Sequence, residues 1–596
     1  MLNSARIGGD GRMRGLINND ISVCVGCNRC IRACPVDEAN IAYIENGEIK
    51  VRIDSSKCIA CGACVEACRH ESRGFSDDTE KFFEDLRRGA RISMFAAPAG
   101  RVNFREFGKL FTYLRKQGVR FIYDVSLGAD ICTWAHIRYI QKNNPGPIIT
   151  QPCPAIVNYI LMYHQDLIPN LSPIHSPMLC TAVYMKKYRG ITDDLAVLSP
   201  CIAKANEFES TGGLVRYNVT FKKLIEYLQA NNIALPREES GFDHPDASFG
   251  GLYSMPGGLK ENVEFYLGKA LRIDKSEGQS VVYKAIDEYA HKGKEYLPAI
   301  FDVLNCQEGC NMGTACEQKD AFFEINKKMD DTRKAVMNSR ERSQFDELYA
   351  GFDNSLKLQD FVRRYTSIPV HRISVNDNDI EQAMDRLDKK TKIQRQFDCS
   401  ACGAASCFEM ASKIAKGVNV VENCMQKNKN DIMKQHDELL YVQHKNAENM
   451  EQILDDIEQV KQMSGGINET VDGINTAIRK FSAMAKAIDQ IAMNINIISL
   501  NASVEAARAG SHGKTFAVVA EEIRNLAASS KKSVSETETI SSQALTSIDA
   551  INEMVGQINE AVSTAYDNIS ILAKSSHTLN GTAGEVRKAA DVLRLN

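Results

Sequence analysis

Cys24-Val25-Gly26-Cys27-Asn28-Arg29-Cys30-Ile31-Arg32-Ala33-Cys34-Pro35 decides the N-terminal part of the chain, and Cys58, Cys61, Cys64 and Cys68 repeat its spacing. Three thiolates two residues apart can wrap one face of an Fe4S4 cube while the fourth reaches across to a second cube. The spacing therefore pairs Cys24, Cys27 and Cys30 with Cys68 on one cluster, and Cys58, Cys61 and Cys64 with Cys34 on the other. Zinc is the alternative for clustered cysteines, and a duplicated four-cysteine repeat weighs against it.

The rest of the chain is read outward from that module. Cysteines number 19 in 596 residues, most in tight groups, and none follows Cys424. In a large chain without a secretory leader this pattern points to metal ligation or catalysis, not disulfides. Apolar residues make up 44% and charged residues 25%, as in ordinary globular proteins. A net charge of −4 argues against a broad nucleic-acid or membrane surface. With no long apolar run and no leader-like N-terminus, the expectation is a soluble, cytoplasmic protein.

From about residue 91 to 364, apolar runs alternate with helical stretches. Ile92–Phe95, Val119–Tyr123, Ile148–Ile149, Leu195–Leu198 and Ala299–Leu304 read as buried parallel strands of an α/β domain. Cys153, Cys201 and Cys306 each follow one of these strands, where ligands collect in open α/β sheets, and Cys310 lies one helical turn on. Beyond Pro369 the chain has no proline. Ile467, Val471, Ile474, Ile478 and Phe481 step at a 3.5-residue average, and so do Ile548, Ile551, Val555, Ile558, Val562, Ala565, Ile569 and Leu572. Gly510 and Gly513 interrupt the pattern near its middle, so the simplest reading is an antiparallel helical hairpin with arms of about 75 residues, roughly 110 Å long. Gly466 and Gly556, equidistant from Ser511, form a candidate flex point.

Several of these motifs resemble known families. The first module resembles a bacterial two-cluster ferredoxin, with Arg69 where a proline usually sits. Gln151-Pro152-Cys153-Pro154-Ala155, Ser199-Pro200-Cys201-Ile202-Ala203-Lys204 with Glu207, and Cys306-Gln307-Glu308-Gly309-Cys310 resemble the three signature loops of the [FeFe]-hydrogenase catalytic domain; Ala97-Pro98-Ala99 and Gly257-Gly258 fit as well. The resemblance implies that Cys153, Cys201, Cys306 and Cys310 hold a [4Fe-4S] cube, with Cys310 bridging to a di-iron subcluster carrying CO, cyanide and a bridging dithiolate. Lys204 would donate to a cyanide ligand, and an ammonium there makes a charge-assisted bond. Ala97, Pro98 and Glu207 complete the implied catalytic set. The chain departs from the family where turnover-competent members place a proton-carrying cysteine, for Pro152 stands there with no titratable group. The segment Ile131 to Tyr139 lacks the glutamates that continue the relay, and Leu304 replaces a methionine. Slow hydrogen chemistry is the expectation. Cys132, Cys180 and Cys316 read as small buried hydrophobes, with Cys316 the strongest exception, and His136 reads as structural or as a substitute proton carrier.

Cys399, Cys402, Cys407 and Cys424 resemble a small four-cysteine iron–sulfur domain, with zinc as its alternative and a helix Phe408–Lys416 ending at Gly417. Ile498 to Gly510 and Phe516 to Ala527 resemble the hairpin tip of methyl-accepting chemotaxis proteins. That tip implies contacts with a histidine kinase and its coupling protein through Val504, Glu505, Arg508 and Val518. Met493 and Thr515 depart from the tip's usual phenylalanine and glycine. A lone hairpin cannot bury both apolar stripes, so two chains should pair into a four-helix bundle, a homodimer.

The expected architecture is therefore multidomain. A tail (1–19) precedes a two-cluster ferredoxin-like α+β domain (20–76), an α/β [FeFe]-hydrogenase-type domain (77–368), a four-Cys [4Fe-4S] domain (369–428) and a long antiparallel α-helical coiled coil (429–596). Four [4Fe-4S] clusters and a di-iron subcluster are the implied cofactors; H2, protons and a ferredoxin-type electron carrier are the implied small partners. The expected function is a hydrogen or redox sensor with slow hydrogenase activity driving a chemoreceptor-type rod. The alternatives are a working ferredoxin-linked hydrogenase with a scaffolding tail, and a cluster-based redox sensor without the di-iron site.

Overall fold

The structure is a computed structural model and describes residues 15–244, 248–268, 271–317, 322–339, 341–462, 467–508, 514–553, 567–572 and 574–575. At its start β1 (Ile17–Asn19), β2 (Asn40–Glu45), β3 (Glu48–Ile53) and β4 (Arg73–Phe75) frame the first cysteine groups. β1 pairs with β4, and β2 with β3, both antiparallel. Asn46 and Gly47, both at positive φ, close the β2–β3 hairpin as such a tight turn requires. Two short helices, Arg29–Ala33 and Ala63–Ala67, each follow a left-handed residue, Asn28 and Gly62. Those left-handed steps fold each Cys-x-x-Cys run back on itself.

Seven strands build the next part: β5 (Ile92–Ala96), β6 (Ile122–Asp124), β7 (Ile148–Ile149), β8 (Asp194–Ser199), β9 (Tyr217–Thr220), β10 (Ile273–Glu277) and β11 (Ile300–Leu304). They form two parallel sheets, ordered β6-β5-β8-β9 and β10-β11-β7. β5, β6, β9 and β11 are buried at every position, as parallel strands covered on both faces must be. Four of the five expected runs coincide with β5, β7, β8 and β11. Val119–Tyr123 becomes strand only from Ile122, because Val119 closes the preceding helix end by bonding to Leu114. β9 and β10 were not expected: one is short, the other (Ile273–Glu277) largely charged.

The cysteine-rich start and the α/β part share a core. Leu16, Val51, Ile59 and Phe75 pack in one cluster with Ile156, Tyr159, Tyr283 and Ala315. One compact unit accordingly spans Met1–Met384 and Thr391–Val420; a second spans Asp385–Lys390 and Val421–Asn596.

In the second unit, helices Met425–Gln462, Ile467–Arg508 and Lys514–Glu553 follow one another, and the last two lie against each other. Their buried residues Ala485, Ala492, Ala527 and Val534 stand symmetrically in the chain about positions 509 and 510. Val504, Glu505 and Arg508 fall on the first of this pair and Val518 on the second. Their side chains lie outside the described residues, as do Gly466, Gly510, Gly513 and Gly556. Among the described residues no helix is long and apolar enough to cross a membrane.

Candidate iron–sulfur and di-iron centre

The second N-terminal motif gathers one cysteine from the first. Cys34 lies among the second motif's thiols, where burial and then the nearby Cys58 push it up to about 11. Burial, then Cys34 and Cys58, also raise Cys61 and Cys64. Cys30 sits with Cys27 and Cys24. Among the described residues, no three His, Cys, Asp or Glu side chains draw close enough to hold a single metal ion.

Arg73 adds a second sign of fit. Its guanidinium, 6% exposed, sends Nη2 to Cys30 Sγ at 3.6 Å, to Asn40 Oδ1 at 3.1 Å and to the Val51 carbonyl at 3.1 Å. Its Nη1 is buried without a protein acceptor. A buried guanidinium donor needs an acceptor, and cluster sulfide supplies one.

In the α/β part, Cys153 caps helix Pro154–Tyr163, Cys201 follows β8, Cys306 follows β11, and Cys310 lies in the turn Gly309–Met312. All four line one cavity of about 70 Å³. Burial pushes Cys201 and Cys310 to about 12, helped by the neighbouring Cys153, and raises Cys153 and Cys306 as well. Without a metal these four would stay thiols; iron, where bound, would hold them as thiolates. Backbone crowding fixes the loops. A Cβ on Gly313 would lie 2.3 Å from the Pro200 carbonyl, and one on Gly309 (φ +64) 2.4 Å from that of Ser254.

The remaining cavity wall is largely apolar and includes Ala97, Pro98, Pro152 and Leu304. Lys204 supplies an ammonium, 5% exposed, bonded to Glu207 at 2.6 Å, the Pro152 carbonyl at 3.1 Å and Ser176 Oγ at 3.3 Å. Arg363 stands 3.8 Å from the other Glu207 oxygen. Cys316 is buried and directs its thiol at the Cys310 carbonyl, 3.8 Å away. His136 is fully buried, its ring held between the Cys132 carbonyl and Ser172 Oγ, both at 2.8 Å.

Packing joins this cavity to the other cysteine groups. Gly62 (φ +82) presses on Thr314, where a Cβ would come within 2.5 Å. Cys61 consequently lines the same cavity. Asn305 bonds to the Cys61 carbonyl at 3.4 Å and to Cys306 Sγ at 3.5 Å, and Tyr283 fixes it from behind at 2.6 Å. Neither Asn305 nor Arg73 stood out in sequence, since neither is a ligand type in a ligand spacing. On the far side, Gly403 lies against Asn28 of the first motif, and Lys413 pairs with Asp37 at 3.5 Å. Cys402 and Cys407 are buried beside Gly403 on helix Cys407–Ala415 and the loop before it; Cys399 is exposed. Gly417 (φ +69) ends that helix. Cys424 belongs to the second unit and directly precedes helix Met425–Gln462.

Cysteine groups beside a two-sheet α/β part, and a long helical segment in the second unit, are the features that comparison with known proteins specifies. Residues 16–69 match a 4Fe-4S dicluster domain, 90–277 the C-terminal domain of the iron-only hydrogenase large subunit, and 444–594 the methyl-accepting chemotaxis protein signalling domain. The chain carries these three domains in that order. It is 25% identical over 175 residues to Iron hydrogenase 1 of Clostridium pasteurianum, covering 26% of this chain and 30% of that one. It is 34% identical over 90 residues to Methyl-accepting chemotaxis protein IV of Escherichia coli, covering 15% and 16%. The chain spans about a third or less of the length of the curated relatives it matches. Among solved structures, the [FeFe]-hydrogenase HydA1 of Chlamydomonas reinhardtii is similar at 17% identity, with 48% of this chain and 98% of that one covered and a TM-score of 0.39.

Proposed function

We propose that the protein is a hydrogen-responsive redox sensor whose hydrogenase-like cavity feeds a chemoreceptor-type signalling rod. The observation that carries this reading is the convergence of Cys153, Cys201, Cys306, Cys310 and Lys204 on one cavity whose wall has Pro152 beside the first ligand. Those four thiols would hold a [4Fe-4S] cube, with Cys310 shared with a di-iron subcluster. When bound, that group supplies the chemistry of making and breaking H–H bonds. The chain's own residues do the rest. Lys204 offers a fixed donor to an anionic diatomic ligand, Glu207 balances its charge, and the apolar wall excludes water.

Pro152 carries no proton, so turnover is slow; losing a positioned proton carrier costs about 10²–10⁴-fold. A slow site suits detection better than bulk metabolism. Asn305, bonded to the Cys61 carbonyl and to Cys306 Sγ, would link the cavity to the dicluster domain, where Cys24, Cys27, Cys30 and Cys68 would hold one cube and Cys34, Cys58, Cys61 and Cys64 the other. Cys399, Cys402, Cys407 and Cys424 are the ligands the sequence implies for a fourth cube, and Cys424 directly precedes helix Met425–Gln462. Two chains pair through the rod, and Val504, Glu505, Arg508 and Val518 meet a histidine kinase and its coupling protein.

Infrared spectra of anaerobically matured protein test this. CO and cyanide bands that shift under H2, with weak turnover and H2-dependent kinase control, are expected. Their absence would leave a cluster-only redox sensor; fast turnover without kinase control would leave a working hydrogenase with a scaffolding tail.

A further inference from the structure

Of the three cysteines left over by every cluster assignment, Cys132, Cys180 and Cys316, the first two stand together. Cys132, on helix Val125–Asn143, and Cys180, on helix Pro177–Val183, are both fully buried. The helices touch through Gly128, where a Cβ would lie 2.1 Å from Thr181 Oγ1 and 2.2 Å from the Pro177 carbonyl. Cys132 is one helical turn beyond that contact, and Cys180 adjoins Thr181.

Both thiols also point at one oxygen. The His175 carbonyl receives Cys132 Sγ at 3.3 Å, Cys180 Sγ at 3.3 Å and Gln151 Nε2 at 3.2 Å. Three donors compete for two lone pairs. Removing both thiol protons leaves the carbonyl satisfied by Gln151, so nothing buried is orphaned.

We propose that Cys132 and Cys180 form a redox-active dithiol, a disulfide site distinct from the cluster ligands and written by small peroxides. His136 Nδ1, 3.6 Å from Cys132 Sγ, favours the thiolate there. Burial pushes Cys132 up, but the Cys180 hydrogen bond and the His136 charge outweigh it and hold this thiol below its ordinary value; burial and Cys132 raise Cys180. Attack therefore starts at Cys132. Its sulfur takes one peroxide oxygen, the O–O bond breaks, and an alcohol or water leaves with a proton. Cys180 then attacks the resulting sulfenic acid, the Sγ–Sγ bond forms, and water leaves. Overall the pair gives up two electrons and two protons to R–O–O–H, yielding R–OH and water. Ala129 and Met178, on the same two helices as the pair, line the cavity beside it, as does Tyr253. The consequence is local to the site. Ser176, next to His175, seats Lys204 Nζ at 3.3 Å, so joining the two sulfurs moves the support of the cavity's ammonium.

The test is chemical mapping of the full-length, cluster-loaded protein. Anaerobic samples are exposed to hydrogen peroxide below the dose at which the clusters' visible absorbance falls. They are then unfolded in alkylating agent and cleaved at methionine and with trypsin; cuts after Arg138 and Lys142 separate Cys132 from Cys153, and cuts after Met162 and Met178 separate Cys153 from Cys180. The expected result is that most of the two fragments appear joined through Cys132 and Cys180 and separate on reduction. Cys132→Ser and Cys180→Ser should each abolish the product, while the wild-type map alone decides the matter if either variant fails to fold. Recovery of both residues as alkylated thiols, or pairing of either with a different cysteine, overturns the proposal.

Discussion

Arg73→Met gives the most direct measure of how the fold sets cluster energetics. Nη2 lies 3.6 Å from Cys30 Sγ, so a cube held by that thiolate would have its centre roughly 6 Å from the guanidinium charge. At an effective dielectric constant of about 20, a unit charge at that distance favours one added electron by about 3 kcal/mol. With about 60 mV per 1.4 kcal/mol for one electron, removing the cation should lower the midpoint potential of the first cluster by roughly 100 mV. The second cluster should move the same way by less, since Arg73 also acts on Cys58 and Cys64. Potentiometric titration followed by electron paramagnetic resonance reads both. Arg73→Lys, which keeps the charge but loses the fork, should recover most of the shift. A potential that stays put or rises in Arg73→Met would refute the electrostatic reasoning, provided iron content and circular dichroism match the wild type.

Other perturbations reach different parts of the molecule. Gly62→Ala forces a Cβ to within 2.5 Å of Thr314 at φ +82; the combined strain should cost about 2–4 kcal/mol and show as a lowered melting temperature. Lys204→Met leaves Glu207 buried with only Arg363 at 3.8 Å, and breaking such a pair costs about 3–5 kcal/mol in chemical denaturation. Adding Glu207→Gln should restore part of that loss. Burial, then the Arg363 charge, hold His175 down to about 3, so the folded state stays neutral where the unfolded state takes up a proton. Its contribution is complete above the unfolded value near 6.5 and declines by about 1.4 kcal/mol per unit as the pH falls from there toward 3. His175→Gln should flatten that slope between urea melts at pH about 6.5 and 5.5; an unchanged slope would exclude His175 as its source.

The sequence by itself determined the ligand grammar, because chelation is local. A Cys-x-x-Cys run must fold back on itself whatever surrounds it, and the heptad steps of the rod declare a helix seam without reference to neighbours. The strand ends before Cys153, Cys201 and Cys306 were legible for the same reason, as short apolar runs bounded by proline or cysteine. Only the tertiary structure set Gly62 on Thr314, aimed Arg73 at Cys30 and brought Cys132 and Cys180 to one carbonyl. Those contacts link residues tens to hundreds of positions apart, and their side chains have no periodicity or fixed spacing to betray them. β10 was missed because a charged strand gains its place from the sheet it joins, and Asn305 because an amide becomes a bridge only once two separate loops stand on either side of it. Local chemistry is written in spacing; the close approach of distant segments is decided by how two sheets and their helices pack.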